Sequence, residues 1–318
     1  MNKKFRFQFF ALFILTVSMV LAGCSREEKA ERGKIKVAAT TFPIYDILRQ
    51  VGGENIEPLL VLPAGASPHT FDPSPAQIAA INKAEIFFVI GVGVDDWALT
   101  MLPTDDSVKV IDLSKNISLR PFEHEEHEEE HEEEEGEEVL EDSHDHGDLD
   151  PHYWLDPGNA KIIADRIAQE LSILDSAKTD EYTTRSVDFQ RLVDESLVLW
   201  QERLSYLPGR KLAVFHDAWG YFADSFGLEI VAIFEPFPGK SPSPKYLIEM
   251  QSDIRENNVK ALFIEPQLSS EAAEALASEL GVTISRLDPI GGFPETNSYL
   301  ELINYNIEAV YAALSSGE

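Results

Sequence analysis

The sequence predicts an α/β protein of two lobes with largely parallel sheets, joined by one long rigid helix. Its 318 residues are more than a single compact domain usually holds. Short apolar runs alternate with helical patterns before residue 175 and again after residue 209, as in parallel sheets covered by helices. We therefore assign residues 35–175 to an N-terminal lobe, 176–208 to the connecting helix and 209–318 to a C-terminal lobe.

The first lobe takes its predicted strands from short apolar runs bounded by Gly, Pro or Asp residues. A helix at residues 43–51 begins with Pro43, since proline suits the first turn of a helix. Another follows Ser74-Pro75, which supply an N-cap and a first-turn proline, and runs to residue 82. The predicted strands lie at residues 35–41, 58–62, 86–90 and 108–111.

Two helical patterns occupy the middle of the chain. The first begins at Asp156-Pro157, and the second has apolar residues near helical spacing until Pro208-Gly209 ends it. The second helix of about 25 residues would be roughly 37 Å long, enough to link two lobes. Beyond it we predict strands at 212–215, 230–234, 261–264 and 282–287, and helices at 243–256, 270–280 and 296–314.

The N-terminus has the charge and length of a secretory signal. Basic residues precede an apolar run at residues 9–20 that ends in Leu21-Ala22-Gly23-Cys24. This run is shorter than the roughly 20 apolar residues of a membrane-spanning helix, although a retained anchor is the alternative. We predict a signal peptide at residues 1–23 and a charged tether at 24–34.

Cys24 is the only cysteine, so an internal disulfide and a cysteine-based metal site are excluded. The sequence Leu-Ala-Gly-Cys resembles the bacterial lipoprotein box, in which the cysteine carries lipid. We expect an extracytoplasmic protein held at a bacterial membrane through lipid on Cys24. The sequence leaves open which membrane carries the anchor, in the periplasm or at the cell surface.

A segment at residues 122–150 carries much of the negative charge. The chain has a formal net charge of -30, which repels nucleic acid and is compatible with attracting cations. We predict a disordered surface loop, since the segment has little apolar surface to bury. Imidazole and carboxylate side chains there offer ligands for weak capture of several metal ions, and a solvated acidic insertion is the alternative. The histidines of this loop are His124, His127, His131, His144 and His146.

Three other histidines stand alone in the sequence. His69 follows the predicted strand at 58–62, and His216 directly follows the strand at 212–215. Open α/β sheets bind ligands at the carboxyl ends of their strands. His152 comes directly after the acidic segment, between prolines. Three imidazoles and one carboxylate would form a four-coordinate set suited to zinc.

The carboxylate of that set has two candidates. Asp288 follows the predicted strand at 282–287, and Glu265 follows the strand at 261–264. A water molecule could occupy the fourth position instead. The sequence favours Asp288 and leaves Glu265 and water as alternatives.

Four short motifs surround these residues, in this order along the chain: Pro68-His69 with Asp72-Pro73-Ser74-Pro75, then Asp-Pro-His-x-Trp-Leu-Asp-Pro at 150–157, Phe215-His216-Asp217-Ala218, and Leu287-Asp288-Pro289. Together they resemble the zinc-binding solute-binding lipoproteins of bacterial ABC importers, the ZnuA and AdcA type. The resemblance extends from residue 35 to the C-terminus. It implies one metal in the cleft between the lobes, with His69 and His152 from the first lobe and His216 and Asp288 from the second.

The resemblance also implies a function, the delivery of extracytoplasmic Zn(II) to an ABC permease. Manganese members of the wider family resemble a two-His, two-carboxylate pattern, with Glu where this chain has His216. Imidazole at this position favours zinc, since manganese prefers oxygen ligands, and Mn(II) is the alternative cargo. We expect a monomer without enzymatic activity.

Two further classes of function are alternatives to a metal receptor. A secreted zinc hydrolase would need an open coordination position and a general base, for which Glu265 or Asp217 are candidates. Against it, the chain has no His-Glu-x-x-His motif, and its candidate ligands come from four distant loops. A cell-surface adhesin is the third class, and no independent signal in the sequence supports it.

Overall fold

The computed structural model describes residues 33–105, 107–122, 149–207, 209–235 and 242–315. The predicted signal peptide, Cys24 and the five clustered histidines lie outside the described residues. Residues 34–318 form one structural unit. Within the described part of the chain, none of the helices combines the length and apolar character needed to cross a membrane.

Four parallel strands form the sheet of the first lobe. They are Ile35–Ala39 (β1), Ile56–Leu60 (β2), Ile86–Val89 (β3) and Lys109–Asp112 (β4). The strand order is β2-β1-β3-β4. Every residue of β3 is buried, as expected for a parallel strand covered on both faces. The carboxyl ends of all four strands point to one edge of the sheet.

The sheet of the second lobe has the same arrangement. Its strands are Lys211–His216 (β5), Glu229–Glu235 (β6), Ala261–Ile264 (β7) and Thr283–Arg286 (β8). They are parallel, in the order β6-β5-β7-β8. Two parallel sheets with helices confirm the predicted fold class.

Helices connect the strands within each lobe. Those of the first lobe are Phe42–Gly52 (α1), Pro75–Ile81 (α2), Asp96–Leu99 (α3) and Pro157–Leu174 (α4). The long helix Thr179–Ser205 (α5) follows. The second lobe contains Gly220–Phe226 (α6), Pro244–Glu256 (α7), Glu271–Leu280 (α8) and Tyr299–Ser315 (α9). The sequence did not predict α3 and α6, which span only one and two turns.

The long helix α5 packs along its length against both lobes. Its buried side chains recur at helical spacing and include Tyr182, Phe189 and Trp200, so one face is continuously apolar. This face packs against α1, α4 and α9. The Nε1 hydrogen of Trp200 is donated to Asn304 Oδ1 of α9 at 3.2 Å. The helix α5 therefore contributes packed side chains to both lobes.

One apolar core extends through both lobes. The same cluster of buried residues contains Phe88 of the first sheet, Phe189 of α5, and Val214 and Phe263 of the second sheet. Wide separation of the lobes would expose this apolar surface to water, which is unfavourable. The packing thus favours a closed arrangement in which movements are local.

The residues on either side of the acidic segment are joined by backbone hydrogen bonds. Pro121 and Leu149 form an antiparallel bridge, and the amide of Asp150 donates to the carbonyl of Arg120 at 2.9 Å. Asp150 is only 2% exposed. The predicted loop boundary of 122–150 therefore extends too far, because Asp150 belongs to the packed structure. Residues 123–148 lie outside the described part of the chain.

Candidate metal centre

His69 lies in the loop between β2 and α2, which neighbouring residues fix on both sides. Trp97 of α3 donates its Nε1 hydrogen to the carbonyl of Pro68 at 3.0 Å. On the other side, Ser74 and Gln77 form a reciprocal cap at the start of α2. The short helix α3 and the cap of α2 therefore hold the loop that carries His69.

His152 lies on a buried segment between β4 and α4. The next residues, Tyr153 to Leu155, are fully buried. Tyr153 donates its hydroxyl hydrogen to Ile90 O at 2.8 Å, and Trp154 donates its Nε1 hydrogen to Pro289 O at 2.7 Å. Ile90 belongs to the first lobe and Pro289 to the second. These contacts fix the backbone of His152 at the junction of the lobes.

His216 is the last residue of β5, so the end of a central strand sets its position. The following turn buries Trp219 completely and leads into α6. His216 itself is 4% exposed. Its Nε2 atom is buried and has no hydrogen-bond partner among the described residues. An orphaned imidazole nitrogen of this kind is available to a metal ion.

The three isolated histidines meet at one point. One ring nitrogen from each lies within 4.8 Å of the other two. His69 Nε2 and His152 Nε2 are 3.2 Å apart. Ligands about 2.0 Å from a tetrahedral zinc ion lie roughly 3.3 Å from one another, so this spacing fits a shared metal ion. Within the residues that the structure describes, no carboxylate joins this group.

Two buried carboxylates contact the far nitrogens of these rings. Asp150 Oδ1 accepts from His152 Nδ1 at 2.8 Å, and Glu265 Oε1 accepts from His216 Nδ1 at 2.7 Å. Glu265 Oε1 also accepts from Trp219 Nε1 at 2.9 Å. A proton held on Nδ1 leaves the Nε2 lone pair directed at the metal position and makes the imidazole a stronger ligand.

Burial and neighbouring charges favour the neutral form of His152 and a charged form of His216 paired with Glu265. Burial lowers the pKa of His152 well below its usual range, and the nearby His216 lowers it further. Burial opposes the charged form of His216, but the charge and hydrogen bond of Glu265, together with the charges of Asp217 and Asp150, raise the pKa of His216. Burial raises the pKa of Asp150 to about 7. A bound dication would favour the carboxylate form of Asp150 and neutral imidazoles.

Asp288 lies outside the histidine group, and its carboxylate is occupied. Its Oδ1 atom accepts from Gln267 Nε2 at 2.8 Å, Ile290 N at 3.0 Å and Gly291 N at 2.9 Å. Its Oδ2 atom accepts from Thr296 Oγ1 at 3.3 Å. In this arrangement Asp288 shapes the turn after β8 through Oδ1. Its Oδ2 atom, with one donor at 3.3 Å, is the less engaged oxygen.

Glu265, the alternative fourth ligand, lies behind His216. Its Oε1 atom contacts Nδ1 of that ring, whereas the orphaned nitrogen is Nε2. A metal ion on Nε2 would be separated from this oxygen by the whole ring. In this geometry Glu265 contacts the candidate ligand His216 from the side of the ring opposite Nε2.

Sequence reasoning missed the supporting carboxylate of His152. The acidic segment predicted at residues 122–150 includes Asp150, because this residue ends a run of like residues. The signal that could have separated it is its position two residues before a candidate ligand, within the Asp-Pro-His motif. The role of Glu265 depends on a contact across 49 residues, which no local pattern reveals.

Comparison with known proteins places these features in a family. Residues 37–313 match the profile of the ZnuA family, described as zinc-uptake complex component A, periplasmic. This chain belongs to the ZnuA family. The matched range includes His69, His152 and His216.

Curated relatives of the ZnuA family carry metal-binding names. The zinc-binding lipoprotein AdcA of Streptococcus pneumoniae is 27% identical in an alignment of 306 residues that covers 92% of this chain and 58% of AdcA. The chain therefore spans little more than half the length of that relative. The high-affinity zinc uptake system protein ZnuA of Bacillus subtilis is 27% identical over 96% of this chain and 95% of its own length. The manganese-binding lipoprotein MntA of Halalkalibacterium halodurans is 23% identical.

Solved structures of the ZnuA family share the fold. A ZnuA deletion mutant with zinc bound gives a TM-score of 0.76 at 26% identity, covering 90% of this chain and 100% of that structure. The laminin-binding protein of Streptococcus agalactiae, described as having adhesin and metal-transporting activity, gives a TM-score of 0.73 at 27% identity, covering 88% and 99%.

Proposed function

We propose that this chain is an extracytoplasmic receptor that binds one Zn(II) ion through His69, His152 and His216 and delivers it to an ABC permease. The observation that carries the proposal is the meeting of three imidazole nitrogens from both lobes within 4.8 Å of one another. Zinc is the cargo in this function. Membership of the ZnuA family and the zinc-binding names of the AdcA and ZnuA relatives support it.

The choice of zinc over manganese rests on the donor atoms. Imidazole nitrogen suits zinc, whereas manganese prefers carboxylate, carbonyl and water oxygens. In this site the carboxylates of Asp150 and Glu265 accept hydrogens from the far sides of the His152 and His216 rings. The manganese-binding relative supports Mn(II) only as the alternative cargo.

The direction of metal entry follows from the exposure of the three rings. His152 and His216 are buried, whereas His69 is partly exposed. Solvent therefore reaches the site from the side of His69. We infer that Zn(II) first contacts His69 and then the two buried rings.

The fourth coordination position is a separate proposal. Asp288 would bind zinc through Oδ2, which has one donor at 3.3 Å, while Oδ1 keeps its three donors or exchanges some of them. Replacing hydrogen bonds to a carboxylate with a bond to a dication is chemically reasonable, since charged groups compete strongly for such oxygens. A water molecule in that position would leave the Asp288 turn intact.

The remaining parts of the proposal concern segments outside the described residues. Lipid on Cys24 would hold the receptor at a membrane, next to its permease. The histidines of the acidic segment would capture further zinc ions weakly, for enrichment, handover or buffering. We propose that the receptor works as a monomer.

A hydrolase is disfavoured by the engagement of Glu265, one of its two candidate general bases. A zinc hydrolase needs a general base near the metal-bound water, and Glu265 instead accepts hydrogens from His216 and Trp219. We propose that the chain has no enzymatic activity. Turnover of ester, peptide or phosphate substrates by the zinc-loaded protein would contradict this.

The proposed function is tested by competition titration of the purified protein against a chromophoric chelator, with zinc and with manganese. We expect one tight zinc site, a clear preference over manganese, and a steep loss of affinity in His69→Ala, His152→Ala and His216→Ala. Unchanged zinc affinity in all three variants would refute the site. A preference for manganese would change the cargo and leave the receptor function standing.

A further inference from the structure

The hydroxyl of Tyr221 connects the second lobe to both backbone segments at the base of the acidic segment. It accepts a hydrogen from the backbone amide of Arg120 at 2.9 Å and donates its own to the carbonyl of Asp150 at 3.3 Å. Tyr221 belongs to α6, and its side chain is 6% exposed. One phenol thus binds two segments of the first lobe at once.

These two segments also bind each other. The amide of Asp150 donates to the carbonyl of Arg120 at 2.9 Å, next to the bridge between Pro121 and Leu149. The hydroxyl of Tyr221 therefore completes a small hydrogen-bonded ring that contains both backbones. We call this arrangement of Arg120, Asp150 and Tyr221 the interlobe clasp.

The clasp leads directly to a candidate metal ligand. Asp150 Oδ1 accepts from both the backbone amide of His152 at 2.9 Å and its Nδ1 at 2.8 Å. The orientation of the His152 ring thus depends on the backbone position of Asp150. On the other side, Tyr221 follows His216 by five residues, through the buried turn that contains Trp219. The clasp joins the two backbones that carry ligands from different lobes.

The first turn of α6 is shaped to receive Arg120. The guanidinium of Arg120 lies 5.7 Å from the centre of the Tyr221 ring, and its Nη1 is 3.4 Å from Asp224 Oδ2. A Cβ atom at Gly220 would overlap that same Nη1. Glycine at 220 therefore leaves room for the guanidinium above the start of the helix.

We propose that Tyr221 is a positioning residue for zinc binding, whose hydroxyl holds His152 of the first lobe in register with His216 of the second. This inference rests on the proposed zinc site and adds a residue that touches no metal. Ligands fixed before binding lose less conformational freedom when the metal arrives. Loss of the hydroxyl should therefore speed zinc release more than it slows zinc capture.

The test compares Tyr221→Phe with Tyr246→Phe. Tyr246 is a matched control because its hydroxyl also donates to a backbone carbonyl of the second lobe, Ile233 O at 2.7 Å. We expect Tyr221→Phe to raise the zinc Kd by about 5- to 30-fold, the range of a few lost hydrogen bonds, mainly through faster dissociation. Tyr246→Phe should leave the zinc Kd within about twofold of wild type.

A second measurement requires no metal. Hydrogen exchange in the metal-free protein should accelerate at the amides of Arg120 and Asp150 in Tyr221→Phe and stay unchanged in Tyr246→Phe. Wild-type protein that binds no zinc would refute the proposed function, while faster exchange at these amides would still support the clasp. Unchanged exchange refutes the clasp, and an unchanged zinc Kd and release rate refute the positioning role.

A further variant approaches the clasp without removing any hydrogen-bonding atom. Gly220→Ala displaces the guanidinium of Arg120 from its place beside Tyr221. The guanidinium ends a flexible side chain and can move aside while the Tyr221 hydroxyl keeps its two hydrogen bonds, so Gly220→Ala should keep the zinc Kd close to that of wild type. If Tyr221→Phe did not fold, rapid exchange of the Arg120 and Asp150 amides in the metal-free wild-type protein would overturn the clasp.

Discussion

The carboxylate of Glu265 offers the sharpest prediction about zinc affinity. It accepts hydrogens from His216 Nδ1 at 2.7 Å and Trp219 Nε1 at 2.9 Å, and it is 3% exposed. In Glu265→Gln, the amide oxygen can still accept from His216, but the negative charge behind the ring is lost. The amide nitrogen would occupy a position where Glu265 Oε2 is buried without a hydrogen-bond partner in the described structure.

The expected magnitude follows from these contacts. Hydrogen bonds to a charged group contribute about 1.5–3 kcal/mol, and loss of a partner behind a metal-bound histidine typically lowers metal affinity by about 10- to 100-fold. We expect the zinc Kd of Glu265→Gln to rise by this factor of about 10 to 100 at pH 7. The direction follows because a neutral partner makes the imidazole of His216 a weaker ligand for a dication.

Chelator competition titration measures this effect, with Glu274→Gln as the control. Glu274 lies on the exposed surface of α8, where its carboxylate accepts from Ser270 Oγ. The control should match wild type. A zinc Kd of Glu265→Gln within twofold of wild type, in a folded protein, would refute the role of Glu265.

Three further predictions concern stability and stoichiometry. Burial raises the pKa of Asp95 from its usual 3.8 to about 6. Between these values the folded state binds more protons than the unfolded state, so the free energy of unfolding should fall by about 3 kcal/mol as pH rises from 4 through 6. Urea unfolding of Asp95→Asn should lack this slope. Trp154→Phe leaves the carbonyl of Pro289 without its 2.7 Å donor and should destabilise the protein by about 1–3 kcal/mol beyond the loss of packing. Urea unfolding measures this destabilisation, with the partly exposed Trp97→Phe as control. An equal loss of stability in both variants would contradict the prediction. Deletion of residues 123–147 should lower the number of zinc ions bound and leave one tight site, because the bridge of Pro121 and Leu149 remains. Loss of the tight site in a folded deletion variant would contradict this prediction.

The sequence predicted the architecture because each lobe repeats a local pattern. Apolar runs such as Ile86–Val89 and Ala261–Ile264 are buried on both faces, and such runs are recognisable without tertiary information. The short helices α3 and α6 could not be predicted, because one or two turns show too little periodicity of apolar residues. Both helices nevertheless lie next to the site, where Trp97 supports His69 and Tyr221 contacts Asp150.

The candidate ligands could be predicted in part. His69 and His216 follow predicted strands, and parallel sheets place such residues at one edge. The partners of the ligands could not be predicted, because Glu265 reaches His216 across 49 residues. Asp288 satisfied the same strand-end rule as His216, yet the turn after it supplies two backbone amides to its carboxylate. Strand-end position therefore brings residues to the edge and does not decide which atoms face the metal.

X-ray absorption spectroscopy of the zinc-loaded protein lacking residues 123–147 tests the central claim most directly. Three imidazole nitrogens at about 2.0–2.1 Å from zinc are expected, with one further light ligand, and the imidazole signal should decrease in His216→Ala. A shell composed mainly of carboxylate oxygens, or an unchanged imidazole signal in His216→Ala, would contradict a zinc site built from His69, His152 and His216.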